Sequence, residues 1–282
     1  MIAPNAPSAT GAGRREPAWV RRLLIALALG FLGVFLVIPL GAVLHAAFSK
    51  GVRAYLSALA QPDTRSAIRL TLLAAAVAVP LNVGFGIAAA WAIARFQFRG
   101  KGVLLTLIDL PFAVSPVIAG MLFVLLFGAH GYLGPWLDAH GIKIVFAVPA
   151  IVIVTAFVTV PFVARELIPA LAARGPEQEL AALTLGASAW QTFRRVTLPN
   201  LRWPLAHGAI LCTARAVGEF GAVSVVSGHI RGETNTVPLH VEILYNDFHY
   251  QAAFAVATVL IGIAIATLIA KSLVEWRSTR WS

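Results

Sequence analysis

Long apolar runs constrain this chain more than any other feature of its sequence. Six of them reach the roughly 20 residues that an α-helix needs to cross about 30 Å of hydrocarbon. We therefore expect an all-α, polytopic membrane protein with six transmembrane helices. The predicted spans are residues 23–44, 67–94, 103–128, 144–163, 205–228 and 251–271.

The composition excludes a soluble globular protein, since 59% of the residues are hydrophobic and only 12% are charged. Cys212 is the single cysteine and lies inside an apolar run, so neither a disulfide nor a thiolate metal cluster can form. We expect it to be an inert packing residue. The seven histidines lack metal-ligand spacing, and we expect no metal and no cofactor.

Basic residues lie at the ends of the apolar runs rather than in one patch. The net charge of +10 therefore does not predict nucleic-acid binding. It predicts topology instead, because the side of the membrane that carries more Lys and Arg is cytoplasmic. The two tails and segments 95–102 and 164–204 hold 15 of these residues, against five or six in segments 45–66, 129–143 and 229–250. Both termini are therefore predicted to be cytoplasmic.

The amino-terminal residues 1–20, rich in Ala, Pro and Gly, are expected to form a disordered cytoplasmic tail before a permease domain of residues 21–282. The first apolar run is longer than the apolar part of a signal peptide, so it is expected to stay attached. Near the other end, Trp276 and Trp281 lie beside basic residues, as is typical of anchors at the lipid interface.

The longest polar interruption, residues 165–204, is predicted to form two short helices joined at a sharp bend. Gly186 suits a left-handed helix end, and Ser188 with Gln191 makes a capping box. The sequence Thr197-Leu198-Pro199 is expected to end the second helix. A smooth face of Ala181, Ala182 and Leu185 suits docking into another protein's groove. An ordinary membrane-surface loop is the alternative.

Two predicted spans contain charged residues. In the third, Asp109 precedes Pro111, Ser115 and Pro116, which indicates a broken segment that lines a gate or pathway. The alternative is a simple proline kink with Asp109 near the cytoplasmic headgroups.

In the fifth span, Arg215 and Glu219 lie four residues apart and can pair on one helix face. They are candidates for a pathway or gate, and the alternative is an ion pair that only joins helices.

The predicted external segment 229–250 contains one further helical pattern. Val237, Val241, Leu244 and Tyr245 fit one face of an interfacial helix, on which an external partner protein could rest.

The pattern Ala181-Ala182, Gly186 and then Val196-Thr197-Leu198-Pro199 resembles the signature loop of ABC importer permeases. That resemblance implies a coupling helix that contacts a cytosolic ATPase. The family pattern opens with Glu, whereas this chain has Leu180, and Glu179 lies 100° away around the helix. The ATPase-coupling residues implied are Glu179, Leu180, Ala181, Ala182, Gly186, Leu198 and Pro199.

Residues 111–120 resemble sulfate and molybdate permeases, and residues 214–232 and 238–245 resemble the CysW-type sulfate/thiosulfate permeases in particular. The resemblance implies a bacterial inner-membrane permease that forms the pathway for sulfate or thiosulfate. The implied partners are a CysT-type permease, two copies of an ATPase and a periplasmic sulfate-binding protein. Molybdate or tungstate is the alternative cargo.

No phosphate-binding loop and no nucleophile with a base are present in the sequence. The chain is therefore not expected to be an enzyme, and ATP hydrolysis would fall to a partner. The predicted outer face is nearly neutral, so it supplies no strong electrostatic funnel for an anion. Arg215 is a candidate to meet the anion if Glu219 releases it. An ion-coupled carrier that uses Asp109 or Glu219 as a proton relay, or a membrane scaffold, are the remaining alternatives.

Overall fold

The computed structural model describes residues 17–279, and every regular element in that range is a helix. The helices are α1 (Ala18–Phe48), α2 (Gly51–Ala60), α3 (Pro62–Arg95), α4 (Lys101–Ala113), α5 (Pro116–Phe127), α6 (Gly134–Ala139), α7 (Val148–Ala173), α8 (Glu177–Thr184), α9 (Ala189–Val217), α10 (Gly221–Ser227), α11 (Val237–Asn246) and α12 (Tyr250–Thr279).

The chain divides into two compact units, residues 1–45 and residues 46–282. The described part of the first unit is the apolar helix α1, which buries no residue up to His45. It starts at Ala18, so residues 18–20 of the predicted disordered tail are helical. Residues 1–16 lie outside the described part of the chain.

Helix α7 forms the centre of the second unit and packs against α3, α4, α5, α9 and α10. Its buried face includes Ile151, Val154 and Leu167, each with 0% exposure. Small residues on the neighbouring helices permit the close approach. A methyl group at Gly86 of α3, for example, would lie 2.7 Å from Val163 Cγ1. Such contact between backbones is typical of membrane helices, because lipid provides no hydrophobic force between them.

A buried polar cluster joins the three long helices α3, α7 and α9. The Asn82 amide of α3 donates to Thr159 Oγ1 at 2.7 Å and to the Ala156 carbonyl at 3.0 Å, both on α7. It also contacts Cys212 Sγ of α9 at 3.7 Å. Buried polar groups are costly unless hydrogen-bonded, and here they pair with one another. Cys212 is buried, as expected of a packing residue.

Four helices in residues 17–279 are long and apolar enough to cross a membrane, and two bent helix pairs raise that number to six. The pairs are α4 with α5, bent by 110°, and α9 with α10, bent by 52°. These pairs are the predicted third and fifth spans. Proline kinks deflect a helix by a few tens of degrees, so 110° is a break. A simple proline kink at Asp109 to Pro116 is therefore wrong, whereas the position of Asp109 near the cytoplasmic headgroups stays a prediction.

One expected helix end is also wrong. Helix α7 itself continues past the predicted span 144–163 to Ala173, through Pro161 and Pro169, which does not test where the membrane ends. Helix α9 continues through Pro199 and Pro204, although Thr197-Leu198-Pro199 was expected to end it. A five-residue π turn, Phe193–Thr197, precedes Pro199, and the Leu198 N–H bonds to the Phe193 carbonyl there. This wider hydrogen bonding lets the helix continue where a proline lacks its N–H.

Helix α11 is present, but its apolar face does not form an interfacial helix as expected. Val237 and Leu244 are buried against α3 and α12 with Ala67 and Val256, whereas Tyr245 is 51% exposed. The reason is that α12 returns directly beside α11 and covers the face within the same chain. At the far end of α12, Trp276 is exposed, and Trp281 lies outside the described residues.

Candidate functional site

The loop between α7 and α9 has the bend predicted from its sequence. Gly186 adopts φ +86°, in the left-handed region where side chains are disfavoured. Ser188 accepts from the Gln191 N–H at 3.3 Å, and the Gln191 side chain accepts from the Ser188 N–H at 2.9 Å. The predicted capping box is therefore confirmed, and it sets the angle at which α9 leaves the bend.

A partly buried ion pair fastens this loop to the rest of the chain. Glu179 of α8 pairs with Arg95 at the end of α3, with 2.8 Å between Oε2 and Nε. Its other oxygen accepts from the Thr197 hydroxyl at 2.8 Å. Arg95 also donates to the carbonyls of Leu171 and Gly175, at 3.2 and 2.7 Å. Glu179 therefore faces its own chain, away from the docking surface to which the sequence assigned it.

Four apolar side chains of the loop are exposed, and we call them the apolar loop surface. Its members are Leu180, Leu183, Leu185 and Trp190, which are 55%, 46%, 88% and 66% exposed. Ala181 is exposed beside them, whereas Ala182 turns partly inward. Leu183 and Trp190 were not among the predicted residues. The spacing of Leu180 and Leu183 at i and i+3, with a tryptophan in a polar segment, was the available signal.

The remaining two predicted loop residues lie elsewhere. Leu198 and Pro199, in the second half of the loop, line a shallow apolar groove with Val83 and Leu205. Close to them, Phe193 stacks on Trp91 of α3 with 4.6 Å between ring centroids and on Trp190 at 5.6 Å. This aromatic column holds the start of α9 against α3.

The first break, between α4 and α5, carries an ion pair close to the surface of the chain. Arg165 Nε of α7 lies 2.7 Å from Asp109 Oδ1 of α4, and their side chains are 55% and 44% exposed. The guanidinium also lies over the Phe112 ring, 4.7 Å from its centroid, within cation–π distance. Phe112 packs edge-on against Phe162, with 5.2 Å between centroids. The sequence suggested Asp109 as a pathway residue but did not suggest Arg165. Arg165 was counted only among the basic residues that predict the cytoplasmic side.

The second break, between α9 and α10, is organised by Glu219. Its carboxylate is 1% exposed, pairs with Arg215 Nη1 at 2.5 Å and accepts from the Ala222 N–H at 3.0 Å. The predicted pairing of Arg215 and Glu219 is confirmed. A carboxylate is favoured there because the first N–H groups of α10 lack partners within their own helix. The side chain of Arg215 remains 32% exposed.

The two breaks meet. A methyl group at Gly221 would lie 3.2 Å from Pro116 Cβ, and one at Gly120 would lie 2.7 Å from the Ala222 carbonyl oxygen. The start of α5 thus packs on the start of α10, and Ser115 is exposed at that junction. Asp109 and Glu219 are not paired with each other, since each has its own arginine. We call this connected set the break strip: Asp109, Phe112, Ser115, Arg165, Arg215 and Glu219.

At the predicted outer end of the chain, His240 of α11 is buried and bonds to the Thr64 hydroxyl at 3.1 Å through Nε2. Burial lowers the pKa of His240 below its ordinary 6.5, with nearby Arg231 acting in the same direction and Asp63 against it. The described residues contain no cluster of three His, Cys, Asp or Glu side chains that could hold a metal ion.

Comparison with known proteins places these features in a family. Residues 82–281 match the family described as "Binding-protein-dependent transport system inner membrane component". The chain is 50% identical over 259 residues to the sulfate transport system permease protein CysW of Escherichia coli strain K12, covering 92% of this chain and 89% of that protein. It is 35% identical to the CysT permease of the same strain, covering 92% and 93%.

A solved structure has the same fold. A chain of the bacterial alginate ABC transporter, crystallised in complex with an alginate pentasaccharide-bound periplasmic protein, aligns with a TM-score of 0.75. The alignment covers 93% of this chain and 94% of the other, at 18% identity.

Proposed function

We propose that this chain, which belongs to the family of binding-protein-dependent transport system inner membrane components, conducts sulfate or thiosulfate through an ATP-driven importer. The observation that carries the proposal is the exposed apolar loop surface, on a loop that the Arg95–Glu179 ion pair joins to the rest of the chain. An exposed apolar patch on a well-fastened loop is typical of a protein-docking site. The partner that fits is the ATPase that this chain itself lacks.

The cargo follows from the relatives. The E. coli protein that shares half of its residues with this chain is a sulfate transport permease, and identity extends over nearly the whole of both chains. The weaker match to CysT supports a related second permease as the partner in the membrane. We infer one CysT-type permease, two ATPase copies and a periplasmic sulfate-binding protein as the other subunits.

Orientation follows from charge. With both termini and the α7–α9 loop inside the cell, the basic residues obey the positive-inside rule. The apolar loop surface then faces the compartment that contains ATP. A bacterial inner membrane is the corresponding location.

The break strip is the proposed pathway. Polar and charged side chains at broken helices are tolerated at membrane depth where they line water or another subunit. Arg215 is the residue proposed to meet the anion, with Glu219 as its resting partner. Glu219 is held by both Arg215 and the Ala222 N–H, which does not favour a proton-relay carrier.

Reconstitution in proteoliposomes tests this function. Vesicles that contain the chain, a CysT-type permease and the ATPase should accumulate radiolabelled sulfate under one condition. ATP must be present inside the vesicles, on the ATPase side, and a sulfate-loaded binding protein must be present outside. Uptake that persists after a protonophore abolishes the proton gradient excludes an ion-driven carrier. Unlabelled thiosulfate should compete, and stronger competition by molybdate would instead assign molybdate as the cargo.

A further inference from the structure

The contacts of Arg165 leave the two terminal nitrogens of its guanidinium available as hydrogen-bond donors. Only Nε bonds to Asp109, and the flat face of the guanidinium lies over Phe112. Within residues 17–279, neither terminal nitrogen of Arg165 has a hydrogen-bond partner. The side chain is 55% exposed, so two parallel N–H groups are presented outward from the break strip.

That edge suits one class of ligand. A guanidinium offers paired donors in a fixed fork, which matches two oxygens of a tetrahedral oxyanion such as sulfate. The neighbouring Asp109 carboxylate offsets the positive charge, so an anion would be held weakly enough to leave. Conduction requires both favourable entry and easy release.

The two arginines of the break strip stand at different depths. Arg165 lies eight residues before the end of α7 at Ala173, or roughly 12 Å along the helix axis. Gly208 of α9 packs on Val163 and Glu166 of α7, since a methyl group at Gly208 would lie 3.2 Å from Val163 Cα, so Arg165 lies level with Gly208. Arg215 lies seven residues further along α9, or roughly 10 Å.

We propose that Arg165 is a second anion-contacting residue, which receives the oxyanion from the level of Arg215 and passes it to the inner mouth. The inference rests on the proposed function and deepens it, because it assigns a second station to the same pathway. Asp109 is its resting partner, as Glu219 is that of Arg215. The competing account is an ion pair that only holds α4 against α7.

A charge swap separates these accounts in the reconstituted importer. Arg165→Gln should reduce sulfate uptake tenfold or more, while ATP hydrolysis stimulated by the binding protein continues. The double variant Arg165→Asp with Asp109→Arg re-forms a salt bridge but moves the guanidinium to α4. We expect it to transport as poorly as Arg165→Gln. Asp109→Asn, which keeps the guanidinium, should reduce uptake less than Arg165→Gln.

Lys271→Gln is the matched control, because Lys271 lies eight residues before Thr279, the last described residue of α12, and its ion-pair partner in the described part of the chain is Glu275 of the same helix. Its uptake should match the wild type. Recovery of wild-type uptake by the charge swap, or normal uptake by Arg165→Gln, would overturn the inference and leave the proposed function intact. Absence of sulfate uptake by the wild-type complex would overturn both.

Discussion

Glu179 and Glu219 are both shielded carboxylates that tie irregular backbone to a helix, yet their arginine partners differ. Arg95 is 12% exposed and is itself held by the carbonyls of Leu171 and Gly175. Arg215 is 32% exposed, and in the described residues its only charged partner is Glu219. In the first pair each nitrogen of the Arg95 guanidinium and each carboxylate oxygen of Glu179 has a partner. The second leaves a cation with unused donors at a broken helix, which is what a ligand-contacting residue requires.

Mutation of the Arg95–Glu179 ion pair should have the largest effect of the following changes. Glu179→Ala leaves Arg95 without its counter-charge in a shielded position, and breaking such a pair costs about 3–5 kcal/mol. We expect the loop to lose its fixed position and recovery of the ATPase on co-purification to fall more than tenfold. Glu177→Ala is the control, because that carboxylate is exposed on the same helix. If Glu177→Ala lost as much ATPase as Glu179→Ala, the loss would not come from breaking the Arg95–Glu179 ion pair.

Arg215 should affect transport without affecting assembly. Hydrogen bonds to a charged group contribute about 1.5–3 kcal/mol, so Arg215→Ala should lower sulfate uptake roughly 10- to 100-fold. Arg215→Lys keeps the charge but loses the forked geometry, and an intermediate loss is expected. ATPase recovery should stay at the wild-type level in both. Normal uptake in both variants would end the anion-contact role of Arg215.

Glu219 separates charge from hydrogen bonding at the second break. Glu219→Gln retains an oxygen that can accept from the Ala222 N–H, whereas Glu219→Ala loses this bond too. The Ala variant should therefore lower the unfolding temperature in detergent more than the Gln variant. If Gln and Ala are equally destabilising, the charge pair with Arg215 stabilises the break and the helix-end bond does not.

His240 is also buried and polar, but within residues 17–279 it forms no ion pair, and its effect should be the smallest. Its pKa is lowered in the folded chain, so the unfolded chain binds a proton more readily below pH 6.5. Stability from the neutral ring is complete above that pH and is lost as pH falls from 6.5 towards the folded pKa. The unfolding temperature should drop over this window in wild type and less in His240→Gln. Parallel curves would show that other groups cause the drop.

The sequence was informative wherever a local rule acts alone. Gly186 and the Ser188–Gln191 box follow from backbone preferences, and the Arg215–Glu219 pair follows from helical spacing. The spans likewise follow from a local property, the length of each continuous apolar run.

Long-range packing accounts for the rest. Spacing placed Glu179 on the docking helix but did not reveal that Arg95, 84 positions earlier, turns it inward. The partnership of Arg165 with Asp109 joins residues 56 apart. The π turn that carries α9 through Pro199 begins at Phe193, whose stacking on Trp91 of α3 is a contact that no local pattern encodes.

Co-purification with a co-expressed ATPase tests the central claim most directly, because it measures whether the apolar loop surface is the dock. Leu185→Asp puts a charge on the most exposed member of that surface, and Gly186→Pro breaks the bend, since proline cannot adopt φ +86°. We predict that both variants insert in the membrane and lose the ATPase, while Glu177→Ala retains it. Full ATPase recovery with both loop variants would contradict the claim and move the coupling contact to another surface.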